Sequence, residues 1–376
     1  MAEKTIGEIA KLCADCGTCQ SACPVYQAEL CEPNSPRGKV NLVKALADGR
    51  LAANALNRRL LYQCLVCGGC ENACPDGVEF TRMMIEHRNL VAGGRRIPWL
   101  KKGILFLYQG FILRKVLWLP RLLSRTPLKK KLSLPSFQNA NLRRIAGRDH
   151  EKEFDVLLFP GCVLTYFYPG KIIEIKTLLE KQGLRVLYPA GLRCCGFPYL
   201  SQGWGKKFAA LKKKNEGIFK SFRFRYLVVP CSTGVLAFKE YYDLPGIEVF
   251  ELGEFLYKRC PGAPLDRAWA EKLPGPFTYH DPCHNLKSLK LKKEARHFLE
   301  QFDKRYVDDD EPLCCGFGGI FKIGFPSTSK KILKKKSARL DEIGAAAVVT
   351  SCPGCYMQLK ENLSIPVYFF SDMYKK

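Results

Sequence analysis

Three cysteine landmarks recur at a nearly constant register in the later part of this chain. Cys162 to Cys283 spans 121 positions, Cys194-Cys195-Gly196 to Cys314-Cys315-Gly316 spans 120, and Cys231 to Cys352 spans 121. The apolar pattern around them recurs as well. In the first copy Val156–Phe159, Arg185–Tyr188 and Tyr226–Val229 read as short strands, with helical spacing at Ile172–Lys181 and Lys206–Ser221. In the second, Phe277–Tyr279 and Ala347–Thr350 read as strands and Ala295–Phe302 as a helix. A repeat of this length predicts two similar α/β units packed pseudo-symmetrically. Each would place its thiols at the carboxyl ends of strands, where open α/β sheets place ligands.

The copies are chemically unequal. The second supplies five thiols, Cys283, Cys314, Cys315, Cys352 and Cys355, in the pattern C-x30-C-C-G-x35-C-x2-C. Adjacent cysteines leave the backbone in diverging directions, so both reach one centre only if it is larger than a single ion. Gly316 lets the chain approach that centre without a Cβ in the way. The expectation is an unusual iron–sulfur cluster. In the first copy the position matching Cys355 is Gly234, leaving Cys162, Cys194, Cys195 and Cys231. A degenerate, structural site is expected there, with a different centre or a zinc ion as alternatives. His280 and His284 flank Asp281-Pro282-Cys283 and are expected behind the thiolates, orienting them, with proton transfer as the alternative. Cys31 and Cys260 follow no pattern and read as incidental thiols.

Two further runs occupy the first ninety residues. CADCGTCQSACP carries Cys13, Cys16, Cys19 and Cys23; CLVCGGCENACP carries Cys64, Cys67, Cys70 and Cys74. Each is C-x2-C-x2-C-x3-C-P, the ligand run of bacterial-type cubane clusters, in which the fourth cysteine serves the other cluster. The predicted sets are therefore Cys13, Cys16, Cys19 with Cys74, and Cys64, Cys67, Cys70 with Cys23. Forty residues separate Cys23 from Cys64, too many for a tight strand repeat, and Gly38–Gly49 and Leu51–Tyr62 show helical spacing. Ser35-Pro36-Arg37 reads as a turn and cap, with Arg37 solvated; the alternative is an Arg37 that holds a partner or a cluster-facing carbonyl.

Nineteen cysteines in a chain whose N-terminus, MAEKTIGEIAKL, lacks an apolar signal region predict reduced thiols, metal sites and a cytoplasmic protein. The net charge of +24 is concentrated: from His87 to Arg148 there are fifteen Lys and Arg and no Asp or Glu. The apolar stretch Gly103–Leu113 within it is shorter than the roughly 20 residues a spanning helix needs. Basic residues beside apolar and aromatic ones predict docking to an anionic membrane surface or a subunit; a helical linker is the alternative. Nucleic acid is not expected, because no nucleic-acid module accompanies the charge.

Taken together, these motifs resemble the iron–sulfur subunits that carry two cubane motifs followed by two cysteine-rich CCG domains. That group includes the iron–sulfur subunit of glycolate oxidase, the matching iron–sulfur subunit of heterodisulfide reductase and that of anaerobic glycerol-3-phosphate dehydrogenase. The resemblance covers essentially the whole chain. It implies an α-helical dicluster ferredoxin module at 1–90, a basic docking segment at 91–150, and two duplicated α/β cysteine-rich domains at 151–262 and 263–376. It also implies two cubane 4Fe–4S clusters, and a noncubane 4Fe–4S cluster at the five-thiol set. FAD is expected on a partner dehydrogenase subunit, and a quinone or membrane subunit is expected as the other partner, at the cytoplasmic face of the membrane. In glycolate-oxidase-type members the partner oxidises a 2-hydroxy acid; in heterodisulfide-reductase members the noncubane cluster works directly on a disulfide. The order and length here are those of the first type. Many of those carry Asn where this chain has Cys352, whereas CPGC is the form of the second. The expectation is an electron-transfer subunit of a membrane-associated, FAD-linked glycolate or lactate dehydrogenase. A disulfide-reducing subunit, a glycerol-3-phosphate dehydrogenase relay and a zinc-stabilised binding protein are the alternatives.

Overall fold

A computed structural model describes residues 5–92 and 153–375. The basic segment assigned to 91–150 lies outside the described residues, apart from the end of one helix. Within 5–92 the chain is helical, with helices Ile6–Lys11, Pro24–Glu29, Pro36–Ala47, Ala55–Tyr62 and Phe80–Ala92 as its main elements. The helix expected from Gly38 starts earlier, at Pro36. Ser35 caps it by accepting from the Gly38 amide at 2.8 Å, and proline at the first position has no amide to leave unpaired. The helix expected from Leu51 begins only at Ala55, where the Asn54 side chain accepts from the Asn57 amide at 2.9 Å. Ile6–Lys11 and Phe80–Ala92, which the cysteine spacing did not suggest, close the bundle over Val40, Val43, Leu61, Met83 and Met84.

The duplication is visible strand by strand. In the first repeat β1 (Glu153–Leu158), β2 (Val186–Leu187), β3 (Arg223–Val229) and β4 (Glu248–Glu251) form a parallel sheet in the order β2-β1-β3-β4. In the second, β5 (Phe277–Tyr279), β6 (Ala347–Thr350) and β7 (Val367–Phe369) form a parallel sheet in the order β5-β6-β7. An isolated parallel bridge from Phe277 to Tyr306 stands where the first repeat has β2. Alternate residues of β1 serve two cores. Val156 and Leu158 face one shared with β5–β7; Leu157 and Phe159 face the other. Sheets covered on both faces are built from continuous apolar runs, as here. No helix among the described residues is long and apolar enough to cross a membrane.

The helical module is locked onto both repeats. Arg88 is fully buried and donates to the carbonyls of Ser201 at 2.6 Å, Leu61 at 2.8 Å and Cys64 at 3.2 Å. Tyr62 donates to the Gln202 carbonyl at 3.1 Å, and Asn89 accepts from the Gly205 amide at 3.1 Å. Gly203, at φ +78°, lies against the Arg88 carbonyl with no room for a Cβ. Gln63 donates to Thr328 at 2.9 Å, and Thr328 in turn donates to Glu29 at 2.5 Å, tying the second repeat to two helices of the module.

Gly203→Ala should therefore lower stability by more than about 2 kcal/mol, since it adds left-handed strain to a backbone clash. Gly217→Ala, on an exposed helix face with nothing within 4 Å of the new methyl, should instead raise it by roughly 0.5–1 kcal/mol. Denaturation midpoints of the two variants check both directions.

Candidate metal centres

The two cubane runs share one backbone form. Asp15 and Gly17 in the first, and Val66 and Gly68 in the second, hold φ between +54° and +82°. A β-branched Val66 in that region is costly and persists only where its surroundings impose it. Cys23 lies with Cys64, Cys67 and Cys70 around one small cavity. Cys74 leaves toward the first run: Asp76, two residues beyond it, accepts from the Ala14 amide at 3.4 Å. The fold thus places Cys23 beside the second run and brings the chain just after Cys74 to the first.

The two sets differ in environment. Cys16 is exposed, and the Thr18 hydroxyl lowers its thiol pKa. In the second set burial pushes the Cys23 and Cys67 thiols up to about 11, and Cys70 well above its ordinary value. Thiols so placed stay protonated unless a metal displaces the proton. Lys39 is buried beside them on helix Pro36–Ala47. Burial lowers its pKa, while the sulfurs of Cys64 and Cys23 oppose that. Arg37, expected to be solvated, instead donates to the Asp15 carbonyl inside the first run at 3.0 Å and pairs with Glu32 at 2.8 Å. A guanidinium can reach a neighbouring loop while its stem lies along its own helix, and helical periodicity carries no trace of that reach.

The thiols of both repeats line a single cavity of about 1150 Å³, part of it open to solvent. Cys162, Cys195 and Cys231 face it from the first repeat, and Cys283, Cys314, Cys315, Cys352 and Cys355 from the second; Cys67 reaches it from the cubane loop. Cys162 and Cys231 follow β1 and β3, and Cys283 and Cys352 follow β5 and β6. Cys315 and Cys355 lie 3.5 Å apart, and Cys194 contacts Cys162. Cys231 and Cys352, from different repeats, are in hydrogen-bond contact. The four thiols of the first repeat therefore stand beside the five-thiol set rather than at a separate place. A Cβ at Gly234 would come 2.8 Å from a Val229 methyl, so a fifth cysteine there needs Val229 to move. Cys31 is exposed, and Cys260 is buried in the hydrophobic core away from this cavity.

The two histidines behave differently. His280 is wholly buried, with neither ring nitrogen partnered among the described residues. A ring nitrogen and the sulfurs of Cys315 and Cys355 lie within 4.8 Å of one another. Burial drives its pKa down to about 3. His284 bridges three loops. It follows Cys283, its Nε2 lies 2.9 Å from the Val66 carbonyl, and its Nδ1 lies 2.9 Å from the Thr233 hydroxyl beside Cys231. A carbonyl only accepts, so Nε2 carries the proton and Nδ1 accepts from Thr233.

Two ion pairs hold the cysteine loops. Asp281 takes Arg296 at 2.8 and 3.0 Å just before Cys283. Asp309, before Cys314, takes Lys336 at 2.7 Å, with both side chains fully buried. A third cation, Lys287, went unnoticed in the sequence. It enters through the gap left by Gly69, where a Cβ would lie 2.9 Å from Nζ, and reaches the Ala22 carbonyl at 3.5 Å. The available signal was the pair Gly68-Gly69, where the first run has Gly17-Thr18.

Buried, crowded thiols, cations with backbone partners beside them and an orphaned histidine suit anionic thiolate-bound clusters. Similarity to known proteins points the same way. Residues 9–78 match the 4Fe-4S dicluster domain family, and residues 156–239 and 277–360 each match the cysteine-rich domain family named CCG. The chain is an iron–sulfur protein built of a dicluster domain and two CCG domains. It is 27% identical to the "Probable glycolate oxidase iron-sulfur subunit" of Bacillus subtilis, over 93% of this chain and 88% of that one. It is 25% identical to the "Glycolate oxidase iron-sulfur subunit" of Escherichia coli, over 93% and 90%. One subunit of the fumarate reductase (CoM/CoB) of Methanothermobacter marburgensis is 26% identical, over 93% of this chain and 68% of that one. A crystal structure of a hypothetical protein from Helicobacter pylori shares the fold, with a TM-score of 0.51 and 12% identity over 90% of this chain and 67% of that one.

Burial raises the Asp309 pKa, but the bonds from Lys336 and Arg339 outweigh it and hold the carboxyl below its usual range. The pair's contribution is thus complete above about pH 4 and lost as pH falls through the lower folded value. Lys336→Met leaves the buried carboxylate with Arg339 as its remaining partner and should cost roughly 1–3 kcal/mol, and adding Asp309→Leu should recover part of it. Urea titration of the single and double variants measures both.

Proposed function

We propose that this chain is the electron-transfer subunit of an oxidoreductase, carrying electrons between an FAD-binding partner that oxidises a 2-hydroxy acid and an acceptor at the membrane. One observation supports the reading above others: Cys67 of the second cubane set faces the same cavity as Cys283, Cys314, Cys315, Cys352 and Cys355. Electron exchange falls steeply with distance, and this placement leaves no protein layer between the two sets. Cys13, Cys16, Cys19 and Cys74 would hold one cubane cluster, and Cys23, Cys64, Cys67 and Cys70 the other. The five thiols of the second repeat would hold a noncubane 4Fe–4S cluster. When bound, the clusters supply one-electron transfer. The chain's own residues do the rest: Arg37 and Arg88 hold loop carbonyls, His284 fixes three loops, and the apolar walls exclude water. The basic segment 91–150 is the docking element for an anionic membrane surface, near a quinone or membrane subunit, on the cytoplasmic side.

A second reading has its own support. The cavity between the repeats is walled by Phe159, Phe197, Phe317 and Ile320 as well as by thiols. That is room for a small apolar disulfide beside the five-thiol set, as direct disulfide reduction requires. Cys162, Cys195 and Cys231 would then form one wall of a substrate chamber, with Cys194 behind Cys162, rather than a relict.

Protein purified anaerobically with its native partners should carry about twelve iron atoms, matching three 4Fe–4S centres, and a flavoprotein that reduces dye with glycolate or lactate. Cys355→Ser should abolish one EPR signal and leave the two cubane signals. Loss of the cubane signals instead, or zinc without inorganic sulfide, refutes the assignment. Dye reduction coupled to a disulfide and not to a hydroxy acid selects the second reading.

A further inference from the structure

The second cubane set is ringed by three cations, none of them paired with a carboxylate among the described residues, against the single negative charge of Glu71 beside Cys70. Lys39 donates to the Asn34 carbonyl, Arg88 to three carbonyls, and Lys287 to the Ala22 carbonyl. Lys287 also faces across the boundary between modules. Its Nζ lies 2.9 Å from where a Gly69 Cβ would stand and bonds the Ala22 carbonyl at 3.5 Å, while its backbone belongs to the stretch after Cys283. The first set has a different balance. Lys44 donates to the Cys13 carbonyl at 3.2 Å, but Arg37 is neutralised by Glu32 at 2.8 Å, Asp76 adds negative charge beside Ala14, and Cys16 is open to water. Thr18 stands where the second run has Gly69, so the gap that admits Lys287 has no counterpart there. Water and salt screen charges at an exposed set, whereas shielded charges act at nearly full strength.

We propose that Lys287, with Lys39 and Arg88, makes the centre held by Cys23, Cys64, Cys67 and Cys70 the more easily reduced of the two cubane centres, and that Lys287 is a positioning charge shared between it and Cys283 and Cys314. The inference rests on the reading that both sets hold clusters. One electron from the partner flavoprotein adds one negative charge at the second set and changes no covalent bond. The standing cations stabilise that charge, so an electron entering through the exposed first set comes to rest beside the five-thiol set.

The test is an EPR-monitored redox titration of the full chain, loaded anaerobically and reduced with dithionite, the second-set signal being assigned by its loss in Cys67→Ser. Lys287→Met keeps the side-chain length and removes the charge. Iron and sulfide should be unchanged and the first-set midpoint unmoved. The second-set equilibrium should shift at least about tenfold toward the oxidised form, a fall of about 59 mV for one electron. An unmoved midpoint with both clusters present overturns the proposal. Should Lys287→Met lose that cluster, Lys39→Met is titrated in the same way, and a lowered second-set midpoint there supports the role. An unmoved midpoint, or loss of the cluster from this variant too, makes the lysines props for the loops and overturns the electrostatic role. Wild-type protein that takes up no iron and sulfide refutes the cluster reading itself, which is decided before any variant is compared.

Discussion

Crowded sulfur ligands repel one another once they lose their protons, and the arrangement of this molecule follows from how that repulsion is answered. Cys23, Cys67 and Cys70 are shielded enough that their free thiols would not ionise near neutral pH. Lys39, Arg88 and Lys287 supply positive charge around them, and each donates to backbone carbonyls rather than to acids. A carbonyl leaves the cation's charge largely intact, where a carboxylate would cancel it. The design is costly without an anion at its centre, since unpaired buried cations are expensive.

The same residues make the modules inseparable. The stretch after Cys283 inserts into the second cubane loop: His284 holds the Val66 carbonyl, Lys287 fills the space over Gly69, and Ser288 lies against Gly68. On the other side, Leu65 packs against Gly318, just past the Cys314-Cys315-Gly316 triplet. A loop bearing cubane cysteines is thus clamped between two loops bearing the five-thiol set. Displacing any of them would disturb two sets at once, so their geometry is a property of the interface and not of either domain.

Duplication built the second half, and small differences separated the copies. Both sheets run parallel with thiols at strand ends, but Gly234 replaces the fifth cysteine, and Val229 crowds the space its Cβ would need. The first repeat still contributes its thiols to the common cavity, where Cys231 meets Cys352. An incomplete set beside a complete one gives the cavity two chemically distinct walls.

The cysteine motifs, the repeat and the fold class were legible in the sequence, because cysteine spacing and apolar period are local properties of a chain. Cys13 to Cys74, the constant register of the CCG triplets and the strands preceding Cys231 and Cys352 all declared themselves in this way. Helix ends were less legible: Ser35 and Asn54 moved two of them, because a cap is decided by one side chain and not by a pattern. What only the tertiary structure decided is adjacency. That Arg37 would reach Asp15, that the first repeat's thiols would share a cavity with the second's, and that Lys287 would lie between two sets could not be read along the chain. Those contacts join residues far apart in sequence, and such pairings are set by how whole surfaces pack, to which no local spacing corresponds.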